Sequence, residues 1–165
     1  MTISRLVLGT IAIVVSLFAA PRAAHAQCAP LSLCSCTVTA TAVSFGMYDP
    51  LSNANDDSTG TIRVVCVQLA ALDGSFTVDL STGGSASYSA RSLRNGANRL
   101  SYNLYTDSTR SQVWGNGTGG SARVSQSFSG ILVIDRSISV YGRIKSGQNV
   151  PSGTYSDTIL VTVTY

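Results

Sequence analysis

The sequence predicts an all-β protein, a two-sheet sandwich of immunoglobulin-like type, and three observations predict it. The 165-residue chain contains no Glu and a single Lys, Lys145, so it is poor in residues that favour helices. From Cys36 onward, apolar and polar residues alternate at the period of a half-buried strand, and no window sustains a helical period. The strands so marked are short and separated by segments rich in Gly, Asn and Ser, which favours a sandwich over an α/β enzyme. The length is that of one ordinary domain.

Taken in order, residues 1–26 read as a cleaved secretory signal. Arg5 precedes an apolar run over 6–20, and Pro21 and the small-residue site Ala24-His25-Ala26 follow, so the mature chain is expected to start at Gln27. Residues 27–35 form a short lead, and residues 36–165 form the domain. Strands are expected at 37–45, 61–67, 75–80, 100–105, 111–114, 127–134, 137–144 and 155–165. Ile62, Val64 and Cys66 share one face of the second, and Leu100, Tyr102 and Leu104 one face of the fourth. Arg63, Ser101 and Asn103 lie opposite, so each strand should have a wet side. Turn-rich segments at 49–60, 81–90, 115–120 and 147–153 separate the strands. The last strand puts Ile159, Val161, Val163 and Tyr165 on one apolar face and runs to the final residue. Its neighbourhood is expected to stay uncovered, and an uncovered edge invites pairing with another chain.

Composition excludes whole classes of chemistry. Removing Arg5 and Arg22 with the signal leaves nine basic residues against eight Asp, which lowers the net charge from +3 to +1 and argues against nucleic acid as a partner. His25, the only histidine, leaves with the signal as well. Without His or Glu the mature chain lacks Ser-His-Asp triads, His-ligated metals and Glu general acids, so neither an enzyme nor a metal or cofactor site is expected. After Ala26 no apolar run approaches the roughly eighteen residues a membrane helix needs.

Several local patterns have a bland reading that outweighs the sharp one. Gly115-Asn116-Gly117-Thr118-Gly119-Gly120 fits the dinucleotide fingerprint, but no helix follows it, so it reads as a β-connection. Asn53, Asn55, Asp56 and Asp57 lack the Gly and closing Glu of a calcium loop and read as a solvated turn. Arg91, Arg94, Arg99 and Arg110 form a basic neighbourhood that suits anionic glycans, with a solvated face as the plainer reading. Trp114 and the tyrosines suit sugar stacking, but in a sandwich such rings mostly fill the core.

Export makes disulfides expected, and four cysteines allow three pairings. A bond between Cys36 and Cys66 would staple adjacent strands, in which case Cys28 and Cys34 pair locally across the lead. A zinc or redox role for the cluster needs partners or a helix start that the sequence lacks.

Cys36-Thr37-Val38 followed by Val43-Ser44-Phe45-Gly46-Met47-Tyr48-Asp49-Pro50 resembles the opening of the spore coat protein U domain, the pilin domain of archaic chaperone/usher pili. Gly60-Thr61-Ile62-Arg63-Val64-Val65-Cys66, Leu100-Ser101-Tyr102-Asn103-Leu104-Tyr105, Val140-Tyr141-Gly142-Arg143-Ile144 and Pro151-Ser152-Gly153-Thr154-Tyr155 continue the resemblance in order along the domain. It implies an incomplete immunoglobulin-like sandwich that lacks its final strand and is completed by donor-strand complementation. A periplasmic chaperone first fills the groove beside Ile159, Val161, Val163 and Tyr165. An outer-membrane usher then exchanges the chaperone for the N-terminal segment of a neighbouring subunit. The family disulfide maps onto Cys36 and Cys66. The implied function is that of a non-enzymatic subunit of an adhesive or biofilm-forming surface fibre, exported through the periplasm. The alternatives are a spore or cell-coat structural protein and a secreted carbohydrate-binding β-domain. The lead departs from the donor pattern: it holds Pro30, and only Leu31 and Leu33 alternate. A weak donor suits a tip or minor subunit.

Overall fold

The computed structural model describes residues 14–16, 24–27 and 34–165. Among them there is no α-helix, only the 3-10 turn Tyr88–Ala90. The strands in chain order are β1 (Val14–Ser16), β2 (Ala24–Gln27), β3 (Cys34–Thr41), β4 (Asp56–Leu80), β5 (Ser92–Asn95), β6 (Asn98–Tyr105), β7 (Val124–Ile144) and β8 (Thr158–Thr164).

The expected all-β sandwich forms, but around two very long strands. β4 runs 25 residues and pairs antiparallel with the 21-residue β7, from Asp56 opposite Ile144 to Val78 opposite Val124. The expected strands 61–67 and 75–80 are thus the two halves of β4, and 127–134 and 137–144 lie within β7. The expected breaks fall at 68–74 and at Asp135-Arg136, where alternation lapses, and Gly130 lies inside an expected strand. In the structure both strands run on, with the register shifting between Val67 and Gly74 while the Gly130 amide donates to Asp73 Oδ1 at 2.8 Å. Gly130 has φ 59°, the left-handed conformation that glycine tolerates. Parity survives the irregularity, so Ile62, Val64, Cys66, Phe76, Val78 and Leu80 all face inward. The ribbon curls on itself, and these side chains join Trp114, Ile134, Val140 and Ile144 in one core.

The other strands dock on this ribbon. β3 pairs with Thr61–Gln68 of β4, and β8 with Thr77–Leu80. β6 pairs with the end of β7, and β5 closes a hairpin on β6 with Asn95 opposite Asn98. Residues 111–114 make isolated bridges rather than a strand, Val113 to Tyr105 and Trp114 to Ala122. Cys36 sits opposite Cys66 in register and the two are bonded, the pairing that the resemblance implied. Closing a loop with a sequence separation of 30 is worth about 3 to 4 kcal/mol by chain entropy.

Three Arg–Asp pairs stitch β4 to β7 and the residue before it: Asp57 with Arg143, Arg63 with Asp135, and Asp79 with Arg123. At the first, adjacent carboxylates behave oppositely. The Arg143 guanidinium holds the Asp57 carboxyl below the usual carboxylate range, while burial, with Asp57 beside it, pushes Asp56 up. Asp56 Oδ2 is buried without a partner. Asp57 therefore stabilises the fold above about pH 4 and loses that contribution as the pH falls. The Asp56 carboxylate opposes folding at neutral pH, and protonation relieves it. At pH 7, Asp57→Asn should destabilise the folded protein by about 1 kcal/mol and Asp56→Asn should raise its stability slightly. Urea denaturation at pH 7 and pH 3 checks this, because both differences should shrink at pH 3.

Candidate functional site

β7 occupies one edge of β4, so β3 and β8 must share the other, one after the other along its length. Their outer edges are left facing one gap. Among the described residues, that gap is bounded by segments of the expected signal. Ala24–Gln27 lies antiparallel along β3, with Gln27 opposite Ser35. Val14–Ser16 lies antiparallel along β8, with Val15 opposite Ile159. The amide of Leu160 donates to Ser81 Oγ and its carbonyl accepts from the Ser81 amide, so both point towards the β4 side. By the alternation of a pleated strand, the backbone groups of Ile159, Val161 and Val163 point towards the gap.

A buried polar network fixes where β8 begins. Asp157 accepts from the Tyr102 hydroxyl at 2.8 Å and from the Gly84 and Thr158 amides at 2.9 Å. Burial, reinforced by Asp157, lifts the Tyr102 phenol well above its usual range, so it stays a donor. Beside it Arg91 is fully buried, at 0% exposure, and among the described residues no carboxylate is hydrogen-bonded to it. Its guanidinium donates to the carbonyls of Ser81 and Trp114 and to Asn103 Oδ1, at 2.6 to 3.1 Å. It thereby ties the end of β4, where β8 is hydrogen-bonded, to the β6 strand. Burial lowers the Arg91 pKa, but from a value so high that the charge is kept.

The gap opens into the core at both ends. Near the start of β8 lies an apolar cleft of about 770 Å³, walled by residues 42–48 on one side and 150–156 on the other, over Leu93, Leu100 and Ile144. Its first wall crosses the sheet where the residues beneath are glycines. A Cβ on Gly142 would lie 2.5 Å from Val43 and 2.7 Å from Phe45, and one on Gly60 would lie 2.7 Å from the Thr41 carbonyl. Tyr48 pins this wall to the next loop, donating to the Lys145 carbonyl and accepting from the Gln148 amide. At the far end of β8 a smaller space of about 120 Å³ lies between the Cys36–Cys66 bond, Phe76, Phe128 and Tyr165. The Tyr165 hydroxyl there is buried without a partner, and burial raises its pKa.

Ile159 and Val161 are buried in the core, and Val163 and Tyr165 pack against it, so the face expected of the last strand points inward. Cys28, Leu31 and Leu33 lie outside the described residues. Cys34 starts β3, in register with Gln68. Two sharper readings are corrected. Arg91 belongs to the core rather than to a basic surface, and Arg110 is held by Asp57, Gly142 and Tyr141. Trp114 is fully buried with its indole N–H on the Val78 carbonyl, so it cannot stack on a sugar. Asp57 is engaged by Arg143, and Asn55 Oδ1 accepts from the Ser146 amide. The network of Arg91, Asn103 and Asp157 was not foreseen, because in sequence Arg91 looks like its exposed neighbours Arg94 and Arg99.

Replacing Arg91 with Met keeps the volume but strands three buried acceptors, so it should cost about 2 to 4 kcal/mol. Chemical denaturation of the disulfide-bonded protein measures this. Arg91→Lys should recover only part of the loss, because one ammonium cannot span all three acceptors.

The Spore Coat Protein U domain family model matches residues 22–162 of the chain. Protein U of Myxococcus xanthus is 38% identical over 132 residues, which cover 74% of this chain and 71% of that protein. Among solved structures, the crystal structure of the CsuC-CsuE chaperone-tip adhesion subunit pre-assembly complex, from archaic chaperone-usher Csu pili of Acinetobacter baumannii, aligns with a TM-score of 0.48 at 20% identity. That alignment covers 81% of this chain and spans 40% of the length of the chain it matches.

Proposed function

The chain belongs to the spore coat protein U domain family, and from that premise we propose that it is a subunit of an exported chaperone/usher surface fibre that is completed by a strand from another chain. One observation carries the proposal: the apolar segment Val14–Ser16 lies antiparallel on β8, while Ala24–Gln27 covers the facing edge of β3. Both segments fall almost wholly within the signal that cleavage before Gln27 removes. The mature subunit then presents two unpaired strand edges over an apolar gap, which favours aggregation unless a strand is supplied. Backbone hydrogen bonds along β8 give a donor its affinity, and the cleft and the smaller space receive its alternate side chains. A periplasmic chaperone supplies the first strand, and an outer-membrane usher exchanges it for that of a neighbouring subunit. The fibre serves adhesion and biofilm formation, and the protein works as a structural part rather than as an enzyme.

The subunit sits at the fibre tip or is a minor component. Pro30 interrupts the lead and only Leu31 and Leu33 alternate in it, which supports a weak donor role. A coat protein is the second reading, favoured by the name of the family. Electron microscopy separates the two, thin fibres on the producing cell supporting the first and a continuous layer the second.

The mature chain, 27–165, made alone should aggregate or be degraded. The same chain with a short turn and the sequence of residues 11–17 appended after Tyr165 should be a soluble, cooperatively unfolding monomer, because an appended strand runs antiparallel to β8. Appending the sequence of residues 27–35 instead should not rescue it. Size-exclusion chromatography and thermal melting decide the matter, and a stable soluble monomer of 27–165 without any added strand would overturn the proposal.

A further inference from the structure

Resting on the strand-acceptor reading, we propose that the loop at residues 46–52 is a seat for the body of the donating subunit, so that the joint between subunits is a strand plus an apolar face. The direction of pairing places the joint. A strand antiparallel to β8, as Val14–Ser16 is, runs towards Thr158, so the chain that follows an N-terminal donor strand leaves the gap at the cleft. At that mouth Met47, 95% exposed, lines the cleft, and Leu51, 88% exposed, follows the lining residue Pro50 on the same loop; they are the two most exposed large apolar side chains of the described residues. The loop that carries them is built. The Leu51 amide donates to Asp49 Oδ1 at 2.9 Å, the Ser52 amide donates to the Asp49 carbonyl at 3.2 Å, and the neighbouring Tyr48 is pinned to the 145–148 loop. Two apolar side chains are therefore held outward on a fixed turn beside the point where the donor must emerge.

The occupant is a subunit of the same fold, presenting the end from which its own strand departs. On this chain that end is the start of β3, where Ser35 lies opposite Val67 and Cys34 opposite Gln68. Around it Val67, Leu69, Leu132 and Val133 are exposed. An apolar end thus faces an apolar end, in the head-to-tail contact that builds a filament rather than a closed dimer. As a tip subunit, this chain uses only its 46–52 end.

The test compares two donors on the mature chain. One is a free peptide of residues 11–17. The other is a chimera with that sequence placed directly ahead of Ser35 and its own gap filled by the same strand appended after Tyr165. From the wild-type acceptor the chimera should dissociate at least about tenfold more slowly than the peptide, because its body adds contacts that act mainly on the off-rate. Met47→Asp with Leu51→Asp on the acceptor should erase the difference, read as the ratio of the two dissociation rates, so that any effect of Met47 on the strand in the cleft it walls acts on both donors alike. Leu69→Asp with Val133→Asp on the chimera should do the same. Equal dissociation of peptide and chimera from the wild-type acceptor, or a difference that survives both pairs of substitutions, overturns the seat and leaves the strand-acceptor reading intact. Failure of the peptide to bind overturns both, and failure of the chimera to bind where the peptide binds overturns the seat alone.

Discussion

A strand has two edges, and β4 has three partners. β7 takes one edge along almost its whole length, so β3 and β8 must divide the other between them. Each therefore keeps an outer edge that β4 cannot pair, taken in this structure by Ala24–Gln27 on β3 and Val14–Ser16 on β8. Backbone donors and acceptors need partners when water is excluded, and here the inner faces of both strands are committed to the core through Cys36, Val38, Ile159 and Val161. An edge attached to a buried face cannot simply be moved into solvent. The strand along β8 answers that edge, and the proposed completion by a second chain rests on it.

The remaining features keep that gap in place while it waits. The Cys36–Cys66 bond fixes β3 to β4 at one end. The Arg91 and Asp157 networks fix β4 and the start of β8 at the other. Such buried polar contacts add little net stability compared with apolar packing, but they are costly to break. They suit the proposed role, in which the domain must hold one shape before a strand is supplied. The glycines at 60 and 142 let residues 41–45 cross the sheet closely enough to wall the cleft.

Much of this could be read from the sequence and some could not. The inward face of Ile159, Val161, Val163 and Tyr165 was legible because alternation at period two is a direct record of burial. Ile62, Val64 and Cys66 were legible for the same reason. The length of β4 and β7 was hidden, because the alternation that marks a strand lapses over 68–74 and at Asp135-Arg136 although the chain stays extended there. Arg91 was hidden because a charged side chain is buried only when distant carbonyls converge on it, and Ser81, Asn103 and Trp114 come together only in the folded chain. The pairing of residues 14–16 with β8 was hidden too, since an apolar run in a signal has no alternation to mark a strand.

Amide hydrogen exchange tests the central claim most directly. In dilute, freshly refolded mature chain, the amides of Ile159, Val161 and Val163 should exchange at nearly unprotected rates, while that of Leu160, held by Ser81, is slowed. Adding a peptide of residues 11–17 should slow all three by at least about a hundredfold, as pairing an exposed edge requires. Strong protection of Ile159, Val161 and Val163 in the mature chain alone would mean that the edge is already satisfied, and would contradict the account.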